Sequence, residues 1–459
     1  MGVLTHRISG DSRMRWLRAT QWWGPVEGAV LLLVAPFLLF TTPARAILLL
    51  VLPALWGLRR LLLGRFVPAT PVNLLVLLLL LSGGVGFCVS PNPTWSQLKI
   101  NELLLGVGFL YATVDALQAA GRWHWVPVGV LAITTGFLSL GLLGTRWGLK
   151  IPQLTTLVAG LPGRVGWLPE GEASFNPNVI GGALLWVLPL HLSLFWWAVR
   201  RRARRWAIVQ ALLATLSLAL LVLTQARGAW LGFAASGLTL LAVAGGRLGR
   251  IGAILLLAAL VALVAFGPPA LRLALQVDGQ STRILSTISF EQRLEIWSRA
   301  QYAIADFPFT GPGLDAFQYV MPVMYPLFQA PPGAAVPHAH NEFLQVALDL
   351  GLPGLVAWLA LYVAAFWMLG QTYRRSADHT SPPRTSPPRS GRTTGGPMYP
   401  SAPTGDSLIQ ALALGSGGAL IAHLGYAMTD CAVLDAKPNV VFWMVVGLSV
   451  ALYQAQDAW

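Results

Sequence analysis

A pair of histidines, His338 and His340, closes a long polar stretch, about residues 269–340, that interrupts an otherwise apolar chain. An imidazole with a pKa near its ordinary value of roughly 6.5 is mostly unprotonated at neutral pH and can accept a proton from a hydroxyl group. The sequence therefore predicts His340 as a general base. Packing or helix capping by His340 is the simpler alternative.

Two arginines have the chemistry of phosphate ligands. Arg227 falls in a tight connection between two apolar runs, and Arg293 lies at the edge of the apolar face of a helix that the capping box Ser289-x-x-Gln292 predicts. Guanidinium groups match phosphate oxygens bidentately, and two of them can stabilise a diphosphate as it departs. Contact with lipid headgroups is the alternative for Arg227.

Asparagines mark two further helix starts. Asn176 and Asn178 flank Pro177 and either begin a helix or form a polar wall of the site, and Asn341 is a predicted N-cap. As metal ligands, His338 and His340 would need a third partner, and no carboxylate stands at ligand spacing in the sequence. Neither CxxC, HExxH nor a phosphate-binding loop occurs, so we predict no metal and no other cofactor.

These side chains must be positioned by membrane helices. Hydrophobic residues make up 55% of the 459 residues and charged residues 11%, against about 25% charged in soluble domains. This composition excludes a soluble globular protein. The hydropathy predicts an all-α integral membrane protein with about twelve transmembrane helices and one long extracytoplasmic loop that contains short helices.

The apolar runs and the segments between them divide the chain into five parts. These are a transmembrane bundle of about nine spans over 1–268, the extracytoplasmic loop 269–340 with an amphipathic helix at about 289–305, a tenth span over 341–370 kinked at Gly351-Leu352-Pro353-Gly354, a disordered Pro-rich cytoplasmic linker over 371–407, and two last spans over 408–459.

Basic residues set the orientation. The chain carries a formal net charge of +13, and most arginines, including the run over 200–205, fall on the side that holds both termini. That side is predicted to be cytoplasmic. The run then contacts lipid headgroups, and no nucleic acid is expected as a partner. Cys88 and Cys431 fall on one side of the membrane, where they either pair or stay separate.

At this point several motifs resemble one family. His340-Asn341, nine further residues and then Gly351-x-x-Gly354 resemble the His-Asn-x9-Gly-x-x-Gly signature of the O-antigen ligase and O-antigen polymerase superfamily. In that family a serine commonly precedes the arginine that corresponds to Arg227, whereas this sequence has Ala226 at that position. Further segments similar to the family are 176–178, 226–232, 293–297, 306–314 and Asp430.

The resemblance implies transfer of a glycan from an undecaprenyl-diphosphate carrier to a hydroxyl of a lipid or glycan acceptor. The reaction would invert the anomeric carbon without metal or nucleotide, at the extracytoplasmic face of a multi-pass protein of the bacterial inner membrane. His340 would be the base, and Arg227 and Arg293 would hold the diphosphate. The lining of the site would include Asn176, Asn178, His338, Asn341 and Asp430.

Three alternatives stay open. A polymerase of the same superfamily would extend the glycan on its carrier, and other members attach glycans to protein. A solute transporter, of the kind described for bicarbonate, belongs to a different class. Asp115, Glu27 and Glu102 all fall near the ends of predicted spans, whereas a coupled transporter is expected to carry an ionisable site near the bilayer centre.

Overall fold

A computed structural model describes residues 10–39, 43–118, 122–145, 147, 154–161, 176–266, 290–328, 336–380, 404–431 and 439–455. Within these ranges all regular structure is helical, which confirms the all-α prediction. The α-helices in chain order are α1 (Gly10–Leu39), α2 (Val51–Leu63), α3 (Asn73–Val89), α4 (Pro93–Gln118), α5 (Val126–Gly144), α6 (Thr155–Ala159), α7 (Pro177–Arg200), α8 (Arg204–Leu223), α9 (Arg227–Ala244), α10 (Gly246–Phe266), α11 (Phe290–Asp306), α12 (Phe317–Met324), α13 (Glu342–Thr380), α14 (Thr404–Ala427) and α15 (Asn439–Ala455). Two 3-10 segments, Pro43–Leu50 and Arg122–Trp125, precede α2 and α5.

Each apolar run predicted as a span lies on one of these helices. Among the described residues, eight helices are long and apolar enough to cross a membrane, and α3 and α15 are shorter apolar helices. A backbone in hydrocarbon must satisfy its own hydrogen bonds, so apolar runs of this length form helices. The chain is thus a multi-pass membrane protein by length and composition of its helices, while the number of spans, about twelve, stays a prediction.

The bundle is held by close helix contacts, with α14 packed against α7 and α9, and α4 packed against α1 and α15. Glycine makes the α9–α14 contact possible. A Cβ on Gly232 would lie 2.2 Å from the carbonyl oxygen of Ala422, and one on Gly425 would lie 2.9 Å from the Cα of Gly232. Small residues allow helix backbones to approach closely in this way.

The segment between α10 and α13 packs on the start of α13. Ile296 and Ala300 of α11 form a small core with Phe317 and Met321 of α12 and with Leu348 of α13. The chain turns at Gly311, whose φ is +63° and where a Cβ would lie 1.7 Å from the carbonyl oxygen of Leu348. Residues 269–289 and 329–335 of the predicted loop, including Ser289 of the capping box, lie outside the described residues.

The helix that follows the histidines is broken once. Gly351 in α13 has φ 68° and ψ 176°, and the backbone of Phe309 occupies the space of its missing Cβ. The second part of α13 continues to Thr380, so the prediction of disordered linker from residue 371 is wrong for this stretch.

Two other predicted features have simple outcomes. Residues 381–403, the greater part of the predicted Pro-rich linker, lie outside the described residues, and α14 begins at Thr404. Cys88 is an exposed free thiol and Cys431 a buried one, so the alternative of a Cys88–Cys431 bridge is not observed.

Candidate functional site

The histidine pair sits on a short loop that leads into α13. His340 adopts φ +50°, a left-handed conformation that an L-residue occupies only when its surroundings hold it. The next residue, Asn341, caps the helix, because its Oδ1 accepts a hydrogen bond from the Leu344 N–H at 3.2 Å. The Nδ1 of His338 accepts the backbone N–H of His340 at 3.2 Å, which locks the two histidines together.

Both histidines face the carboxylate of Asp430, which lies just beyond α14. Asp430 Oδ1 is 3.4 Å from Nδ1 of His340 and 3.8 Å from Nε2 of His338. The two rings meet edge to face with centroids 4.2 Å apart. The Nε2 atom of His340 is buried and forms no hydrogen bond with any residue that the structure describes.

Asp430 is held as an anion. Burial alone would raise the pKa of its carboxyl group, but the side-chain contact with His340 and the electrostatic interactions with His338, His340 and Arg293 outweigh burial and lower that pKa below its ordinary value. The same carboxylate accepts the Asn178 side-chain amide at 3.0 Å through Oδ2 and the Cys431 N–H at 3.0 Å through Oδ1. An anion with these partners keeps its place beside the histidines.

The sequence left open whether the two asparagines at the start of α7 begin the helix or line the site, and the structure shows a different contact for each. Asn176 begins the helix, since its Oδ1 accepts the Asn178 N–H at 2.9 Å. Asn178 instead points its amide at Asp430 and so belongs to the wall of the site. The Tyr426 hydroxyl completes this wall, 2.8 Å from the Asn178 carbonyl oxygen and 3.3 Å from Asp430 Oδ2.

The two predicted phosphate ligands lie at the same place. Arg227 is the first residue of α9, where the helix dipole adds positive potential. Its charge lies within electrostatic reach of Arg293, which in turn acts on Asp430. Arg293 donates from Nη1 to the Thr429 carbonyl oxygen at 2.7 Å, and its Nε is buried without a hydrogen bond to any described residue.

A glycine brings these groups together. A Cβ on Gly228 would lie 1.9 Å from the Oγ1 of Thr429, so only glycine at this position lets the loop after α14 approach the start of α9. The loop then carries the Thr429 carbonyl to Arg293 and the Asp430 carboxylate to the histidines. Ala226, which departs from the family pattern, is buried at the entrance to α9.

The structure corrects one step of the metal argument. The sequence offered no third ligand beside His338 and His340, yet their ring nitrogens and the Asp430 carboxylate lie within 4.8 Å of one another. Two imidazoles and one carboxylate form a donor set that zinc accepts. These three residues have the composition of a metal site and also that of a base with an orienting carboxylate. Loss of activity in the presence of a chelator would indicate the metal site, and unchanged activity would indicate the base.

Three residues that contact the candidate site were not predicted from the sequence. Tyr426 lies near the end of α14, four residues before Asp430, a spacing that brings side chains together in a helical turn. Thr429 contributes only backbone and a contact with Gly228, which no side-chain pattern reveals. Gln345 accepts the Ala339 N–H at 2.9 Å and thereby touches the histidine loop from within α13.

The comparison with known families agrees with the motifs. Residues 212–359 match the family model described as O-antigen ligase. No curated protein matches the chain. The matched segment contains Arg227, Arg293, His338 and His340, while Asp430 lies beyond it. The resemblance to the O-antigen ligase superfamily is thereby confirmed over residues 212–359, and this segment supports a function of the O-antigen ligase or polymerase type.

Proposed function

We propose that this protein is a glycosyltransferase that moves a glycan from undecaprenyl diphosphate to an acceptor hydroxyl at the extracytoplasmic face of the inner membrane, with inversion at the anomeric carbon. The observation that carries the proposal is the state of His340. Its Nδ1 lies 3.4 Å from Oδ1 of the Asp430 carboxylate, and neither Nδ1 nor the buried Nε2 forms a hydrogen bond with a described residue.

The position of the Asp430 carboxylate beside Nδ1 favours one tautomer of His340. A proton on Nδ1 of His340 interacts favourably with the Asp430 anion, and this leaves the lone pair on Nε2. A carboxylate in this position orients the ring and stabilises the imidazolium that forms when Nε2 takes a proton. His340 is therefore the catalytic base, and Asp430 is the residue that positions it.

The reaction is a single displacement. The acceptor oxygen forms a bond to the anomeric carbon as its proton passes to Nε2 of His340, and the bond between that carbon and the phosphate oxygen breaks. The electron pair of the broken bond leaves on undecaprenyl diphosphate. Arg227 and Arg293 supply two guanidinium groups to the charge that accumulates there.

The chemistry needs no external energy source, because the glycosyl-diphosphate bond of the donor supplies the driving force. The acceptor class, the sugar and the choice between ligase and polymerase depend on the shape of the site around the acceptor. A ligase moves a finished glycan to a different molecule, whereas a polymerase adds it to a second carrier-bound glycan, so product size separates them.

The test is a transfer assay with the purified chain in detergent. An undecaprenyl-diphosphate glycan and a lipid acceptor are supplied with EDTA and without nucleotide, and released undecaprenyl diphosphate is measured. We expect release in EDTA equal to that in its absence, with one product of fixed size. A ladder of products would indicate the polymerase. Release that requires added zinc would assign the His338–His340–Asp430 trio to a metal, and no release with any carrier and acceptor would overturn the proposal.

A further inference from the structure

A buried polar chain connects the bundle to the loop that carries His340. Lys99 of α4 places its Nζ 2.7 Å from Oδ2 of Asp349 in α13, and Gln345 donates its amide to the same oxygen at 3.0 Å. The other end of the Gln345 amide, Oε1, accepts the backbone N–H of Ala339 at 2.9 Å. Gln345 and Asp349 are fully buried, and Lys99 nearly so.

Ala339 is the residue between the two histidines, and both of its backbone polar groups are held by side chains. Its N–H goes to Gln345, and its carbonyl oxygen accepts the indole N–H of Trp297 at 3.0 Å. These bonds come from two separate elements, the start of α13 and the extracytoplasmic helix α11. They fix the loop on both sides of its backbone, where His340 has its left-handed conformation.

The buried polar chain also contacts the turn after α11. Asp349 accepts the backbone N–H of Asp315 at 2.9 Å through Oδ1, and Lys99 contacts the Asp315 carboxylate at 3.2 Å. Lys99 therefore compensates the buried carboxylate of Asp349 and the partly exposed carboxylate of Asp315, which makes its ammonium group necessary for the geometry of Asp349.

Resting on the proposed function, we propose that Lys99, Asp349 and Gln345 form a positioning relay for the base. Lys99 fixes the Asp349 carboxylate, Asp349 fixes the Gln345 amide, and Gln345 holds the Ala339 N–H so that the His340 ring meets Asp430. None of the three relay residues touches the reacting atoms. Misplacement of a catalytic group by about 1 Å can cost roughly 10²-fold in rate, so a relay of this kind controls turnover without binding substrate.

The first measurement is independent of catalysis. Hydrogen–deuterium exchange is followed in peptides that cover 336–341, in wild type, Gln345→Met and Gln210→Met. Gln210 is the matched control, because it is a buried glutamine whose Oε1 bonds to the ring of His191 away from the site. We expect faster exchange at the Ala339 amide in Gln345→Met only. Unchanged exchange in Gln345→Met, or equal acceleration in Gln210→Met, overturns the relay.

The second measurement uses turnover. For Gln345→Met we expect a fall in kcat of about 10- to 100-fold with little change in the KM for the donor, since both arginines stay in place. Lys99→Met should lower kcat in the same direction, and the double variant should lose no more than the worse single variant, because residues of one network do not act additively. Additive losses, or a loss confined to KM, contradict the relay.

Two further points keep the outcomes separate. If Gln345→Met does not fold, Gln345→Asn replaces it, because an amide shortened by one methylene cannot span Asp349 and Ala339 together. The same fall in kcat and faster exchange are expected. If the wild type shows no turnover with any glycan donor, the proposed function fails, and the exchange measurement still decides whether the relay holds the loop.

Discussion

An ion cluster near the N-terminus and the candidate site both bury charged side chains, and they differ in what those charges contact. In the N-terminal ion cluster, Arg59 contacts the carboxylates of Glu27 and Asp115, and Arg65 contacts Asp115 at 3.1 Å. Two cations there meet two anions. At the candidate site, Arg293 acts on the carboxylate of Asp430, which also faces two histidines, and Arg227 lies within electrostatic reach of Arg293.

The two arrangements indicate different roles. A buried charge is tolerated only when it is paired or bound. The N-terminal ion cluster satisfies this condition with ion pairs that join α1, α2 and α4. At the candidate site two guanidinium groups lie within electrostatic reach of each other, and under the proposed function they bind a diphosphate while Nε2 of His340 accepts a proton. The cluster thus holds helices together, whereas we propose that the candidate site binds a ligand.

The largest effect is expected at the base. His340→Ala should lower turnover by about 10²- to 10⁴-fold, the range that a general base contributes, and leave the protein inserted and folded. His338→Ala is the matched control, because its ring contacts the same carboxylate while its Nδ1 is already occupied by a hydrogen bond. A much smaller loss is expected there, as measured by release of undecaprenyl diphosphate. Equal losses in the two variants would remove the special role of His340.

The next effect is expected at the orienting carboxylate. Asp430→Asn keeps the shape of the side chain but lacks the charge that stabilises the imidazolium, so kcat should fall on the order of 10²-fold. Donor KM should change little, which initial-rate kinetics in detergent would show. A variant with normal kcat would mean that His340 holds its tautomer without Asp430.

The third-largest effect on activity is expected at the two arginines. Arg227→Lys and Arg293→Lys keep the positive charge but not the planar fork, so each should raise the donor KM and lower kcat/KM by about 10- to 100-fold. Arg299→Lys is the control on α11, because Arg299 lies over the rings of Tyr302 and Phe328. Full activity of Arg227→Lys would return this residue to the role of a headgroup contact.

The N-terminal ion cluster should show the opposite pattern. Arg59→Met leaves two carboxylates buried without their shared cation, which should lower the free energy of unfolding by roughly 3 to 5 kcal/mol. The kcat of the protein that remains folded should not change. Arg60→Met, at the exposed neighbouring position, should affect neither quantity. Thermal unfolding in detergent and turnover per folded molecule test the contrast, and a kcat loss in Arg59→Met would break it.

The smallest effect concerns acid. The pKa of Asp430 is lower in the folded protein than its unfolded value of about 3.9, so its stabilising contribution is fully present above that value and is lost as pH falls through the folded pKa. The excess thermal stability of wild type over Asp430→Asn should therefore persist at pH 5 and shrink below about pH 4. An excess that disappears between pH 7 and pH 5 would contradict the lowered pKa.

The sequence predicted the helices well, for a physical reason. A run of about 20 apolar residues can only be helical in hydrocarbon, and Asn341 was recognisable as a cap from its place before α13. The extension of α13 to Thr380 was missed because the prediction ended the helix where hydropathy falls, after residue 370, although residues 371–380 contain no glycine or proline.

The residues of the candidate site could be proposed from the sequence, but their contacts could not. His340, Arg227 and Arg293 stand out by residue type at places where such residues are costly. The pairing of Asp430 with both histidines depends on the approach of the loop after α14, which Gly228 permits. The link from Lys99 to Asp349 joins residues far apart in the chain, and no local pattern carries such information.

The most direct test of the proposed role of His340 is chemical rescue of the base. Release of undecaprenyl diphosphate is measured for His340→Ala in EDTA over a series of imidazole concentrations, with His340→Ala/Asp430→Asn alongside. For His340→Ala we predict a rate far below wild type that rises with imidazole, and a smaller rise when the orienting carboxylate is also absent. Turnover by His340→Ala close to wild type without imidazole would contradict the role of His340 as the base.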